Sequence, residues 1–100
     1  MNADELLSRY KAGERDFGGA FLAGVNLSGV DLSGIILREA NLRGTVLRNA
    51  NLTSAILWLA EPLDAHLERA NLQDAMIASG QLSRAASLAG AVMPDGTRHE

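Results

Sequence analysis

The sequence of 100 residues contains no cysteine, only two prolines and only four aromatic side chains. Without cysteine there is no disulfide framework and no thiol chemistry. No stretch approaches the apolar length of a membrane span, and the acidic N-terminal segment does not have the form of a signal peptide. The formal net charge is −3, whereas nucleic-acid-binding surfaces are normally basic. We therefore expect a cytoplasmic protein without a nucleic-acid or membrane partner.

The residue patterns of catalytic and metal sites are also missing. The two histidines, His66 and His99, lie far apart in the sequence, and two isolated histidines are weak evidence for a metal site. There is no glycine-rich phosphate loop and no pair of carboxylates with a base. We predict a non-enzyme with no catalytic residues, no metal, no cofactor and no small-molecule substrate.

What the sequence does contain is an apolar residue, mostly leucine, at every fifth position, with a small residue two positions earlier in nearly every case. Arg15, two positions before Phe17, is the exception and is interpreted as the boundary of the coil, since a buried charge would be costly. A step of five rotates about 140° on a helix, so these residues share no helical face. On a straight strand they would alternate between the two faces. The chain must therefore bend once per repeat, which predicts a short-repeat solenoid with leucines inside. The repeated positions are Phe17, Leu22, Leu27, Leu32, Leu37, Leu42, Leu47, Leu52, Leu57, Pro62, Leu67, Leu72, Ile77 and Leu82.

Several of these units have a recognisable form. Ala40–Gly44, Ala50–Ser54 and Ala70–Asp74 read ANLRG, ANLTS and ANLQD. They resemble the A(D/N)LXX signature of pentapeptide repeat proteins. The resemblance implies the all-β fold of that family, a right-handed quadrilateral β-helix with four pentapeptides in each coil, and hence about four coils in this chain.

A single domain is expected over residues 1–100. Residues 1–14 include a short α-helix that we predict to cap the first coil, because an uncovered coil is an unpaired strand edge. The β-helix itself is expected over residues 15–95. Residues 96–100 are expected to be a tail, in which Thr97–Glu100 are frayed.

The repeat slips once near its C-terminal end. Strict counting places Ser87 at a core position, which is unfavourable. A one-residue insertion near Ala85 and Ala86, interpreted as a bulge at a corner, makes Leu88 and Met93 the core positions instead.

One outward column of side chains is apolar where the others are polar. If residues 20 apart stack, Ile36, Ile56 and Met76 lie in one column beneath Asp16. Trp58 and Leu59 come directly after the core residue Leu57, next to Ile56 in the sequence. A contiguous exposed apolar patch usually marks an interface, and tryptophan is enriched at interaction hot spots. We predict that this surface binds another protein or a second copy of the chain as a homodimer. The alternative is that these side chains shield one another at a corner or lie under the tail.

The favoured function is a non-catalytic protein–protein interaction or scaffold module. The alternative, which the resemblance implies, is a DNA mimic that binds DNA gyrase, as some family members do. Such mimicry needs a long acidic rod, whereas Glu61 and Asp64 share one face here and the other acids are scattered. The arginines Arg38, Arg43 and Arg48 are likewise expected on three different faces, so they form no single basic groove.

Overall fold

The computed structural model describes residues 1–100 as a coiled chain with a helix at its start. Helix α1 spans Ala3–Lys11 and helix α2 spans Ser79–Leu82. There is no continuous strand; isolated parallel bridges instead join residues 20 apart along the coil. A turn follows every five residues, so each coil has four sides. No helix is long and apolar enough to cross a bilayer.

The bridged residues define four lateral faces, which we number 1 to 4 in chain order. Face 1 carries Asp16, Ile36, Ile56 and Met76; face 2 carries Phe21, Asn41 and Glu61; face 3 carries Asn26, Val46, His66 and Ser87; face 4 carries Asp31, Asn51, Asn71 and Val92. Along each face, neighbouring levels are separated by the spacing of paired strands, about 4.8 Å.

The corners between faces are β-turns. The fourth residue donates its backbone N–H to the carbonyl of the first, as Ala40 does to Leu37 at 3.1 Å. The third residue has a positive φ, which is the geometry of a type II turn. Glycine takes this position at Gly34 and Gly44, where the absence of Cβ removes the steric penalty. Asn49, Asp64 and Asp74 hold the same position with a positive φ, a conformation that asparagine and aspartate tolerate better than most residues.

The interior consists of the repeated leucines and of the small residues two positions before them. Leu22, Leu32 and Ala55 have no exposed surface, so opposite walls of the coil meet in a narrow, dry core. Thr45 is the one buried polar residue, and its Oγ1 donates to the carbonyl of Leu22 at 2.8 Å. The core contains no charged side chain.

Polar side chains at the bridge positions close local turns instead of bonding from coil to coil. Asn51 Oδ1 accepts from the backbone N–H of Thr53 at 3.1 Å, and Asn71 does the same for Gln73 at 3.0 Å. This Asx arrangement satisfies a donor that the turn would otherwise leave open.

Helix α1 covers the first coil. Asn2 caps it by accepting from the backbone N–H of Glu5 at 2.8 Å, and Leu6 is fully buried against the coil. Tyr10 Oη donates to the carbonyl of Ser33 at 2.6 Å. Arg15 does not enter the core: its guanidinium lies 3.7 Å from the ring centre of Tyr10.

The slip in the repeat is accommodated differently from the predicted bulge. Helix α2, Ser79–Leu82, lies before Ala85 and replaces one side of the coil. From there the bridges join residues 21 apart, as in His66 with Ser87. Pro62 has no backbone N–H to pair with the next level. The backbone N–H of Gln81 donates to Ala78 O at 3.0 Å instead of to the level before it, and the Gln81 side chain donates to Ala60 O in its place, at 3.1 Å. The expected bulge near Ala85 and Ala86 is therefore wrong in form, because a helical turn absorbs the extra residue.

The tail is not frayed, so that expectation is wrong for residues 97–100. Arg98 forms an antiparallel bridge with Val92, and the backbone N–H of His99 donates to Ala91 O at 2.7 Å. A turn at residues 94–95 reverses the chain, and Asp95 accepts from the backbone N–H of Thr97 at 3.0 Å. The tail thereby pairs with part of the last open backbone edge.

Candidate interaction surface

Face 1 brings three apolar side chains into one column. The backbone N–H of Leu37 donates to Ile56 O at 2.8 Å, and that of Leu57 donates to Met76 O at 2.9 Å. These bonds hold Ile36, Ile56 and Met76 on consecutive levels about 4.8 Å apart, close enough for neighbouring side chains of a column to interact. Every other face has polar side chains at two or more of its bridged positions.

The apolar side chains become more exposed towards the C-terminal end of the face. Ile36 and Ile56 are half-buried, whereas Met76 is 49% exposed, Trp58 45% and Leu59 69%. Trp58 and Leu59 form the corner that follows face 1. The structure therefore places all five residues of the predicted patch on face 1 and its adjoining corner.

Leu59 is also unfavourable for the local fold. Its φ is +60°, a conformation in which glycine, asparagine and aspartate are the usual residues. Glu39, Ser54 and Arg69 have almost the same φ at the same turn position, so what distinguishes Leu59 is its exposed hydrocarbon side chain.

Hydrocarbon side chains on face 1 leave a row of backbone donors open. On the other faces, Asn or Asp at the bridge position often accepts from the N–H two residues later. Isoleucine and methionine carry no oxygen, so the backbone N–H groups of Arg38, Trp58 and Ala78 have no acceptor in the protein. Face 1 is the one face on which this occurs at three consecutive levels.

The N-terminal half of face 1 contains an open depression, whereas the most exposed apolar side chains lie in its C-terminal half. A shallow depression of about 570 Å³ is lined by Asp16, Gly18, Gly19, Ile36, Arg38 and Glu39. The two glycines have no side chain to fill it, and Asp16 is drawn back onto the backbone N–H of Gly18 at 3.0 Å. Arg38 forms no ion pair.

Sequence reasoning missed one exposed aromatic residue. Phe21, on face 2, is 63% exposed, while the next bridged residues on that face, Asn41 and Glu61, are polar. The available signal was its position directly before Leu22, which matches that of Ile36 within its own repeat. Phe21 stands alone in its column, so it does not extend the patch on face 1.

Charged side chains are distributed over the other faces. Arg48 Nε donates to Glu68 Oε2 at 3.0 Å, and Arg84 donates to Glu61 at 3.0 Å. Burial raises the pKa of Glu68, but hydrogen bonds from its own backbone N–H and from Arg48 outweigh burial and hold that pKa below its ordinary value. His66 lies 3.5 Å from the same carboxylate. These pairs leave no continuous strip of one charge.

Comparison with known proteins agrees with the repeat geometry. The family model of pentapeptide repeats matches eight copies, over residues 15–44 and 45–79. The chain belongs to the pentapeptide repeat family. Family membership implies a right-handed β-helix, the handedness that the resemblance predicted, and proteins of this family are in general structural or interaction modules rather than catalysts.

Two solved structures are similar to this pentapeptide repeat chain. The crystal structure of alr5209, a pentapeptide repeat protein from Nostoc PCC 7120, is 37% identical with a TM-score of 0.68, covering 92% of this chain and 75% of that one. HetL, a pentapeptide repeat protein involved in heterocyst differentiation regulation in Nostoc sp. PCC 7120, is 30% identical with a TM-score of 0.35, covering 75% of this chain and 44% of that one. No curated protein matches the chain.

Proposed function

We propose that this pentapeptide repeat protein is a non-catalytic interaction scaffold that binds a protein partner, or another copy of itself, through face 1 and its corner. The observation that carries the proposal is the run of outward apolar side chains on three consecutive levels, Ile36, Ile56 and Met76. Trp58 and Leu59 extend that run sideways. We place this activity in the cytoplasm, which fractionation of the source cells would test.

The physical basis is the apolar area that a partner would remove from water. Fully burying one large apolar side chain contributes about 1.5–3 kcal/mol, and the half-exposed ones here contribute part of that each. Association costs several kcal/mol in lost freedom, so Trp58 and its neighbours must be covered together. The open N–H groups of Arg38, Trp58 and Ala78 add hydrogen-bond donors that a partner's carbonyl or carboxylate groups satisfy.

The acidic side chains give the DNA-mimic alternative less support. Glu61 and Glu68 are paired with arginines, and Asp31 accepts from the turn at Ser33. The remaining acids do not line up along one face. We expect no inhibition of gyrase-catalysed supercoiling at micromolar protein; inhibition that persists in a Trp58→Ala variant would favour the alternative.

Site-specific photo-crosslinking tests the proposed surface. A benzophenone amino acid replaces Trp58 in one protein and Gln73 in another; Gln73 is the exposed corner residue after face 4. In lysate of the source cells we expect a discrete adduct at position 58 and none at 73. The adduct should disappear when Ile56→Asn is added, since that change replaces hydrocarbon with the side chain common elsewhere in the repeat.

Two results would contradict the proposal. One is the absence of any adduct at position 58, including adducts between copies. The other is an equal yield of adducts at positions 58 and 73, which would mean that face 1 has no preference over another face. Circular dichroism of each variant checks that the coil is intact.

A further inference from the structure

We infer that the partner of face 1 is a second copy of the chain, docked side by side with its solenoid axis reversed. This inference rests on the proposed function and narrows it to one occupant. It follows from the order of residues along the four levels of the face. From the N-terminal end, the bridge position carries Asp16, Ile36, Ile56 and Met76, and the corner carries Gly18, Arg38, Trp58 and Ala78.

A two-fold axis lying between the two faces, at right angles to the solenoid axis, makes this order self-complementary. It reverses the levels and keeps the corner on the same side, so that level 2 of one copy meets level 3 of the other. Ile36 then faces Ile56 of the second copy, and Arg38 faces Trp58. Closed two-fold interfaces of this kind use one surface patch twice, so every contact occurs in two equivalent places.

The contact between Arg38 and Trp58 gives each side chain a partner that it does not have within the monomer. Arg38 has no ion-pair partner, and Trp58 is 45% exposed. A guanidinium over an indole face is a favourable cation–π pair, which strengthens when both groups leave water. The dimer contains two such pairs, one on each side of the axis.

The shapes of the two halves of face 1 are complementary under the same operation. The hollow over Gly18 and Gly19 occupies levels 1 and 2. The protruding side chains, Trp58 and Met76, occupy levels 3 and 4. Reversing one copy places the protrusions of each chain in the hollow of the other. Asp16 then lies opposite Met76 and the open backbone N–H of Ala78, a donor that its carboxylate can accept from.

The size of the face limits the strength of the dimer. Four levels at about 4.8 Å across a rod 22 Å wide give a projected area on the order of 400 Å². Standard interfaces bury about 800 Å² per partner. The dimer is therefore expected to be weak and concentration-dependent, with a dissociation constant of about 10–500 μM.

Sedimentation equilibrium of the full chain measures this association. Arg38→Ala and Trp58→Ala should each weaken it by about tenfold or more, because each removes both cation–π pairs. Arg43→Ala is the matched control: Arg43 has the same position in the next repeat, is exposed and has no ion pair. The double variant Arg38→Trp with Trp58→Arg exchanges the two residues and restores both cation–π pairs. Its dimer dissociation constant should stay within about threefold of the wild-type value.

Crosslinking of cysteine variants tests the direction of docking. The chain has no cysteine of its own, so Asp16→Cys and Met76→Cys chains each carry one reactive thiol. With a short bis-maleimide, the antiparallel arrangement predicts a product between the two variants. Products within one variant are disfavoured, because identical residues are then displaced by three levels, about 14 Å.

The outcomes separate this inference from the proposed function. Wild-type protein that stays monomeric at about 500 μM, or dimerises equally well as Arg38→Ala, overturns the inference. Crosslinking within each cysteine variant but not between them also overturns it, because the copies are then parallel. If an adduct to a different protein still forms at position 58, the proposed function survives without the self-association.

Discussion

At the scale of single residues, the side chain at the bridge position of each repeat decides whether the backbone N–H two residues later has an acceptor or stays open. Asparagine at the bridge position, as at Asn51, closes the turn by accepting from the backbone N–H of Thr53. Isoleucine at the same position, as at Ile56, leaves the N–H of Trp58 open and presents hydrocarbon to water. The fold tolerates both residues because the bridge position points outward and the leucine beside it supplies the core.

Ile56→Asn tests this account of the position. The change adds a hydrogen bond to Trp58 N–H, worth about 0.5–1.5 kcal/mol, and removes side-chain contacts along the column of up to about 1 kcal/mol. The free energy of unfolding should therefore change by an amount between a loss of about 0.5 kcal/mol and a gain of about 1.5 kcal/mol. Urea denaturation followed by circular dichroism measures it.

The reverse substitution, Asn51→Ile, is the matched control on face 4. It removes the acceptor for Thr53 N–H, and we expect destabilisation of about 0.5–1.5 kcal/mol. If Ile56→Asn is destabilising by several kcal/mol, the bridge position on face 1 has a structural role that this account does not include.

The five-residue pattern predicts where a residue lies within the coil much better than it predicts the exposed fraction of its side chain. Ile36, Ile56 and Met76 follow from counting in steps of 20, and the structure places them in one column. Counting does not reveal that the two isoleucines are half-buried while Leu59 is 69% exposed. Exposure depends on the neighbours above, below and around the corner, which a linear pattern does not contain.

At the scale of elements, the ends of the coil depart most from the repeat. Helix α1 was predictable because Asn2 and the helical spacing of its apolar residues are local signals. Helix α2 was not, since the five-residue pattern detects an insertion but not the conformation that absorbs it. The pairing of the tail depends on an open edge around Ala91, which is a property of the folded coil rather than of the tail sequence.

Leu6 is the anchor of α1, and its removal tests the capping role. Leu6 is fully buried, so Leu6→Ala should lower the free energy of unfolding by about 2–5 kcal/mol. Leu7, the next residue, is only partly buried and provides the control. Leu7→Ala should lower the free energy of unfolding clearly less than Leu6→Ala does. Because repeats contact only their neighbours, hydrogen exchange should quicken mainly in the first coil. Equal effects of the two variants would show that α1 does not cap through Leu6.

At the scale of the whole molecule, the residues that form the core and the residues of the proposed interaction surface are separated in space. The inward leucines and small residues make every coil alike, so the core is indifferent to which outward residues are present. The four faces are then free to differ, and face 1 is the one that carries hydrocarbon on three levels. In this solenoid repetition accounts for folding, and we propose that the local departure from repetition on face 1 accounts for binding.

The response of the whole fold to acid follows from its carboxylates. The Ser33 backbone N–H holds the pKa of Asp31 below its ordinary value, and the Thr97 hydroxyl does so for Asp95. The Arg9 guanidinium lowers the pKa of Glu14. With these pKa values lower in the folded chain, the unfolded chain binds protons first as the pH falls. Stability is complete above the unfolded pKa values and is lost as the pH falls through the folded ones, from about pH 5 to below about pH 3.

Asp31→Asn isolates one contribution to that loss. Asparagine keeps an oxygen that accepts from Ser33 N–H, 3.0 Å away in the wild type, but it does not titrate. The variant should therefore lose less stability than the wild type between about pH 7 and pH 3, as measured by the urea midpoint. An equal acid loss in wild type and Asp31→Asn would show that the turn carboxylate does not couple protonation to folding.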